Sequence, residues 1–174
     1  MKWLAIILGV LIILLALVWI AGSSLPREHR AASRITLRRP IDSVWAVVRD
    51  PMALKGVWRE LTSVSKQTDA QGREVWQEKV GGFDIRLIVA ESEPPERLVM
   101  NVDSPPGAAF GGRWVYQLSP AAGGTTVLVA EEGWIGPPPF RLMSKLMGHH
   151  RSVDQYLTAL GAKFGETVAV EHLP

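Results

Sequence analysis

No cysteine occurs in the 174 residues, which excludes a disulfide framework, a thiol nucleophile and a thiolate-bound metal. An excess of one charge is missing as well: 19 basic side chains face 17 acidic ones, a formal net charge of +2. The pI near 9.2 carries little weight, because near balance a couple of charges move it far. No Lys/Arg tract is interleaved with aromatics on one element, so a nucleic-acid partner is not expected. The usual catalytic signatures are missing too. There is no nucleophile elbow, no HExxH helix and no GxGxxG, and Gly111-Gly112-Arg113 lacks the Gly-Lys-Ser/Thr ending of a phosphate loop. These absences count against hydrolase, kinase and dehydrogenase chemistry.

What the chain has is one long apolar run. The 19 residues from Trp3 to Ala21 contain no charge and no proline. As a helix rising about 1.5 Å per residue they reach about 30 Å, one hydrocarbon core. Trp3 and Trp19 stand near its two ends, where indoles favour the headgroup level. A secretory leader carries a shorter apolar stretch, roughly 7 to 15 residues, behind a basic start; only Lys2 precedes this one. Residues 1–22 therefore read as an uncleaved transmembrane anchor, with cleavage near Ala21-Gly22-Ser23 as the alternative. Arg27, Arg30, Arg34, Arg38 and Arg39 follow the span, so the positive-inside rule expects the domain on the cytoplasmic side. Residues 23–32 are a linker too short to let that domain leave the bilayer.

Beyond the linker, short alternating segments dominate. Ser33–Arg39 puts Ile35 and Leu37 on one face and reads as a strand, stopped by Pro40. Asp42 suits a helix N-cap before Val44, Trp45, Val47 and Val48, and a second short helix is expected over Pro51–Val57. Six strands follow, over Leu61–Thr68, Arg73–Val80, Phe83–Ser92, Arg97–Val102, Phe110–Leu118 and Thr125–Trp134. Most are separated by turns bearing glycine or proline, which predicts a sequential antiparallel sheet. Leu142, Leu146, Val153, Leu157, Leu160 and Phe164 then recur at helical spacing, predicting one long helix from about Phe140 to Phe164, weakest at Gly148. The domain is expected over residues 33–166, and residues 167–174 read as a frayed tail.

That order, with its residues, resembles the helix-grip (SRPBCC or START-like) superfamily, which includes START lipid-transfer domains, polyketide cyclase/dehydrase-like proteins and the birch-pollen allergen. RITLRRPIDSVWAVVRDP resembles the family's opening strand and its proline-x-x-x-valine-tryptophan helix. ESEPPERLVM and FGGRWVYQLSPAAGGTTV resemble two successive hairpins, and HHRSVDQYLTALGAKFGE the closing helix. The resemblance spans Ala32 to Glu166. It implies an α+β helix-grip fold, a curved antiparallel sheet of about seven strands wrapped round the long C-terminal helix, with two short helices after the first strand. Between sheet and helix it implies a cavity that admits apolar ligands. Members include carriers, cyclases, hydrolases and chaperone cofactors, so the resemblance does not select a chemistry. No cofactor is expected.

Candidate site residues come from two sources. Trp58, Trp76, Trp114, Tyr116 and Trp134 form a large aromatic payload, and Met143 and Met147 share an edge of the long helix. All seven suit an adaptable apolar ligand site; plain core packing is the alternative. Glu78 shares its face with Trp76 and Val80, so it either binds the polar end of a ligand or pairs with an arginine on a neighbouring strand. His150 and Asp154, four apart, suit a carboxylate-oriented imidazole. With Glu78 they are the acid–base candidates, and His150 is also a ligand-binding candidate. His149 and His150 point about 100° apart and cannot chelate one metal together; a metal would need ligands from the sheet, which no spacing marks, so no metal site is expected. The resulting expectation is a membrane-tethered binder of a lipid, isoprenoid or polyketide-like molecule. A cyclase or dehydratase using the same cavity and a protein-interaction module are the alternatives.

Overall fold

The computed structural model describes residues 2–174. Helix α1 (Lys2–Ser23) is followed by β1 (Glu28–Leu37), α2 (Ile41–Val48), a one-turn 3-10 helix (Pro51–Leu54) and β2 (Leu61–Thr68). Strands β3 (Glu74–Val80), β4 (Phe83–Glu93), β5 (Arg97–Val102), β6 (Phe110–Ala121) and β7 (Gly124–Ile135) come next. Two helices, α3 (Pro138–Met147) and α4 (Arg151–Lys163), and a last strand, β8 (Glu171–Leu173), complete the chain. The strands form one curved antiparallel sheet in the order β2-β3-β4-β5-β6-β7-β1-β8. The fold is helix-grip, as the family resemblance implies.

The sheet's inner face and α4 make the core. Ile35 and Leu37 of β1, Leu98 and Met100 of β5, and Val127 and Val129 of β7 pack with Val153, Leu157 and Leu160 of α4. Period two on the strands meets a four-then-three spacing on the helix, so both apolar faces are buried together. On the opposite face Ala32, Val99, Val115 and Ala130 form a smaller cluster, joined by Leu128 and Leu173.

The structure corrects four local expectations. Strand β1 begins at Glu28 rather than Ser33, pairing with β7 from Glu28↔Trp134 to Leu37↔Thr125. Much of the expected linker is therefore sheet, because Ala31 and Ala32 are small enough to be buried on both faces. The tail at 167–174 is not frayed: Glu171–Leu173 adds an eighth strand against β1. The long helix is two helices, broken where Gly148 takes φ 85°, a conformation only glycine adopts without strain. Only α4 grips the sheet; α3 has no buried residue. Finally, Asp42 lies in the first turn of α2 behind Pro40 and makes no cap.

Helix α1 is long and apolar enough to cross a membrane, and its most apolar window is unburied by the rest of the chain. Its last turn touches α3, where Gly22 is buried against Pro138.

Candidate functional site

Between the inner sheet face and the helices lies a cavity of about 530 Å³, within the range of small-molecule sites. Its walls are largely apolar. Ile85 and Leu87 come from β4, Trp114 and Tyr116 from β6, Phe140, Met143 and Met147 from α3, and Tyr156 from α4. Phe140, Met143 and Met147 are also exposed, so α3 forms the rim. The aromatic wall is ordered by edge contacts. Tyr156 meets Trp58 at 5.7 Å, Tyr116 at 5.4 Å and Trp114 at 6.1 Å between centroids, arrangements that aromatic quadrupoles favour.

A few polar groups interrupt this wall. Glu78 reaches it from β3, buried and without an ion pair among the described residues. Burial alone pushes its carboxyl up to about 7. The same burial holds the Tyr116 and Tyr156 phenols well above their ordinary value, and the charge of Glu78 adds to both shifts. A second polar group lies near the mouth. His29 Nε2 is 3.5 Å from Glu131 Oε1, and the His29 ring stacks on His149 at 5.4 Å. His149 is held below its ordinary value, first by burial and then by the neighbouring His29. Three side-chain atoms are buried without a hydrogen-bond partner among the described residues: His29 Nδ1, Glu131 Oε2 and Trp58 Nε1. All three belong to residues that line the cavity.

The sequence candidates divide three ways. Trp58, Glu78, Trp114, Tyr116, Trp134, Met143 and Met147 line the cavity. Trp76 does not. It sits in the core, where its Nε1 donates to Glu74 Oε1 at 2.9 Å and Lys66 lies over its ring. The salt bridge weighed for Glu78 goes to Glu74 instead, which pairs with Arg49 and Lys66. His150 and Asp154 also stand outside the cavity, at the sheet edge where α4 begins. Ser33 Oγ donates to Asp154 Oδ1 at 2.9 Å and lies 3.2 Å from His150 Nδ1, while His172 Nε2 is 2.8 Å from Asp154 Oδ2. The turn at Gly148 lets consecutive histidines serve different places, His149 the cavity and His150 the edge.

His29, Glu131 and Tyr156 escaped the sequence reading. A signal for two of them was present. Glu131 alternates with Val127 and Val129, and His29 with Ala31, Ser33 and Ile35, so each is a polar residue on an apolar strand face. His29 was hidden by the linker assignment.

A curved sheet closed by a helix over an apolar cavity defines the helix-grip class of fold. A sequence profile for "Polyketide cyclase / dehydrase and lipid transport" matches residues 28–164, and the chain belongs to that family. No curated protein matches it in sequence. Among solved structures, a conserved protein from Geobacillus kaustophilus superposes with a TM-score of 0.60 at 16% identity, covering 83% of this chain and 100% of that one. The structure of Ara h 8.0201 gives 0.58 at 12% identity, with 80% and 99% coverage. The di-domain ARO/CYC StfQ from the steffimycin biosynthetic pathway gives 0.58 at 8% identity, covering 79% of this chain and 48% of that one. At these identities the likeness is one of fold.

Proposed function

We propose that the protein binds an amphipathic, largely apolar small molecule (a lipid, isoprenoid or polyketide-like compound) in the cavity while α1 tethers it to a membrane. One observation carries this reading. The unpartnered buried atoms of His29, Trp58 and Glu131 all lie on residues lining this apolar cavity. Buried polar atoms are normally satisfied, so these are the groups a ligand's polar end would meet. Aromatic and methionine side chains supply the adaptable apolar remainder. The tether keeps the cavity close to the phase in which such ligands dissolve, raising their effective concentration. The arginines that follow α1 support a cytoplasmic orientation of the domain under the positive-inside rule.

The test is tryptophan quenching by a brominated fatty acid in the full chain, held in detergent, with Trp3 and Trp19 replaced by phenylalanine. Trp58, Trp114 and Trp134 line the cavity, so saturable quenching at one ligand per chain is expected. Ile85→Trp, which narrows the cavity, should weaken it. Quenching that does not saturate, or that is unchanged by Ile85→Trp, defeats the proposal and favours a protein-interaction role.

A second reading is favoured by Glu78. A carboxyl at about 7 both gives and accepts a proton near neutral pH, as a cyclase or dehydratase requires. Of the three acid–base candidates only Glu78 faces the cavity. Glu78→Gln separates the two functions: it leaves fatty-acid binding within a few-fold and abolishes any turnover.

A further inference from the structure

We propose that His150, Asp154 and His172 form a binding site for a divalent transition metal, with zinc as the probe, that pins β8 to the start of α4. The site lies outside the cavity and stands independently of the ligand-binding proposal. One ring nitrogen of each histidine and one carboxylate oxygen of Asp154 lie within 4.8 Å of one another. Two imidazoles and a carboxylate are a donor set that zinc and its neighbours take, with a fourth position left for water.

The ligands are brought together by tertiary contacts. His150 immediately precedes α4, and Asp154 follows one turn later on the same side. His172 arrives on β8, directly opposite Ser33 of β1, and its ring stacks on His150 at 4.1 Å. Ser33 is fully buried and orients two of the three ligands. Its hydroxyl proton is committed to Asp154 Oδ1 at 2.9 Å, so its oxygen accepts from His150 Nδ1 at 3.2 Å. Outer hydrogen bonds of this kind hold metal ligands in orientation before the metal arrives.

Loading the site requires the His172 ring to turn out of its stack on His150, because a metal bonds in the plane of each imidazole and the two rings now lie nearly parallel at 4.1 Å. His172 Nε2 and Asp154 Oδ2, now 2.8 Å apart, would give up their hydrogen bond to the metal, the Nε2 proton passing through solvent to Nδ1 so that the imidazole stays neutral. Bonds of about 2.0–2.1 Å set two tetrahedral ligands about 3.3 Å apart, so the pair must open by roughly half an ångström. His172 is exposed on a three-residue strand and is free to make that shift.

The experiment is a zinc titration of the untagged full chain in detergent against a chromophoric chelator, repeated with cobalt to read coordination from its absorption spectrum. One zinc per chain is expected, with tetrahedral cobalt bands and slowed hydrogen exchange at Glu171–Leu173. His172→Ala removes an exposed side chain together with its hydrogen bond to Asp154 and its stack on His150, and should weaken zinc at least about tenfold, with loss of the cobalt bands. Asp154→Asn should act in the same direction. No binding at millimolar zinc, or zinc binding unchanged by His172→Ala, overturns the proposal.

Discussion

Gly22, in the last turn of α1, lies so close to the first turn of α3 that a Cβ added there would stand 2.0 Å from the Pro138 carbonyl oxygen. Arg141 fastens the same junction. It donates to the carbonyls of Leu25, Ile135 and Gly136 at 3.2, 3.0 and 2.5 Å. The apolar span is thereby joined to the helix that carries Phe140, Met143 and Met147 at the cavity rim.

Gly22→Val should force α1 and α3 apart, because the obstructing atoms are backbone and cannot swing aside. Hydrogen exchange of the full chain in detergent should quicken across Pro138–Met147. The amides of β5, β6 and β7 should keep their protection, since the sheet core does not depend on this contact. Unchanged exchange in α3 would show that the junction carries no restraint.

Glu78 sets a pH dependence of stability. Its folded value of about 7 stands above the ordinary 4.5. Between those values the unfolded chain ionises while the folded chain keeps its proton. Stability therefore falls as pH rises from about 4.5 to about 7 and is level beyond, with a total cost of about 3 kcal/mol. Glu78→Gln should flatten this slope. Denaturant melts at pH 4.5 and pH 8 should converge for the variant while remaining separated for the wild type.

Glu74 works in the opposite sense. Hydrogen bonds from Arg49, followed by Lys66, hold its carboxyl at about 2. Its contribution is present above the ordinary carboxylate value and is lost as pH falls toward about 2. Glu74→Ala leaves Arg49 of the segment after α2 and the indole nitrogen of Trp76 without their acceptor. A loss of about 1–3 kcal/mol at pH 7 is expected in denaturant melts.

Removing Glu171–Pro174 should lower Tm by several degrees in metal-free buffer. The truncation strips Arg34 of its paired bonds to Glu171 at 2.8 and 2.7 Å. It also uncovers the Ala32, Val99 and Ala130 cluster that Leu173 joins, and exposes β1 as a sheet edge prone to association. Light scattering at increasing protein concentration would read the second effect.

The apolar span, the alternation of Phe83–Val89 and the turns at Gly81-Gly82 and Gly123-Gly124 involve residues adjacent in the chain. Their physics is local, so strands, hairpins and the closing helix follow from sequence pattern. The run of antiparallel neighbours from β2 to β7 follows with them. Trp76 and Glu78 share a strand face by the same rule, and that part was legible. Which of them meets the cavity was not, because the α4 and 3-10 helix side chains that cover the sheet decide it from far along the chain. Tyr156 and Trp58, nearly a hundred positions apart, wall the cavity only once α4 lies across the sheet. The edge cluster is the extreme case. Asp154 and Ser33 are 121 positions apart, and His172 joins them through three backbone-paired residues that carry no periodic signal. Sequence alone determined most of the elements and their order, with β8, the start of β1 and the break at Gly148 as exceptions, since propensity and periodicity act over a few residues. Tertiary structure decided which polar groups share a space, since burial and pairing bring together residues that no local pattern connects.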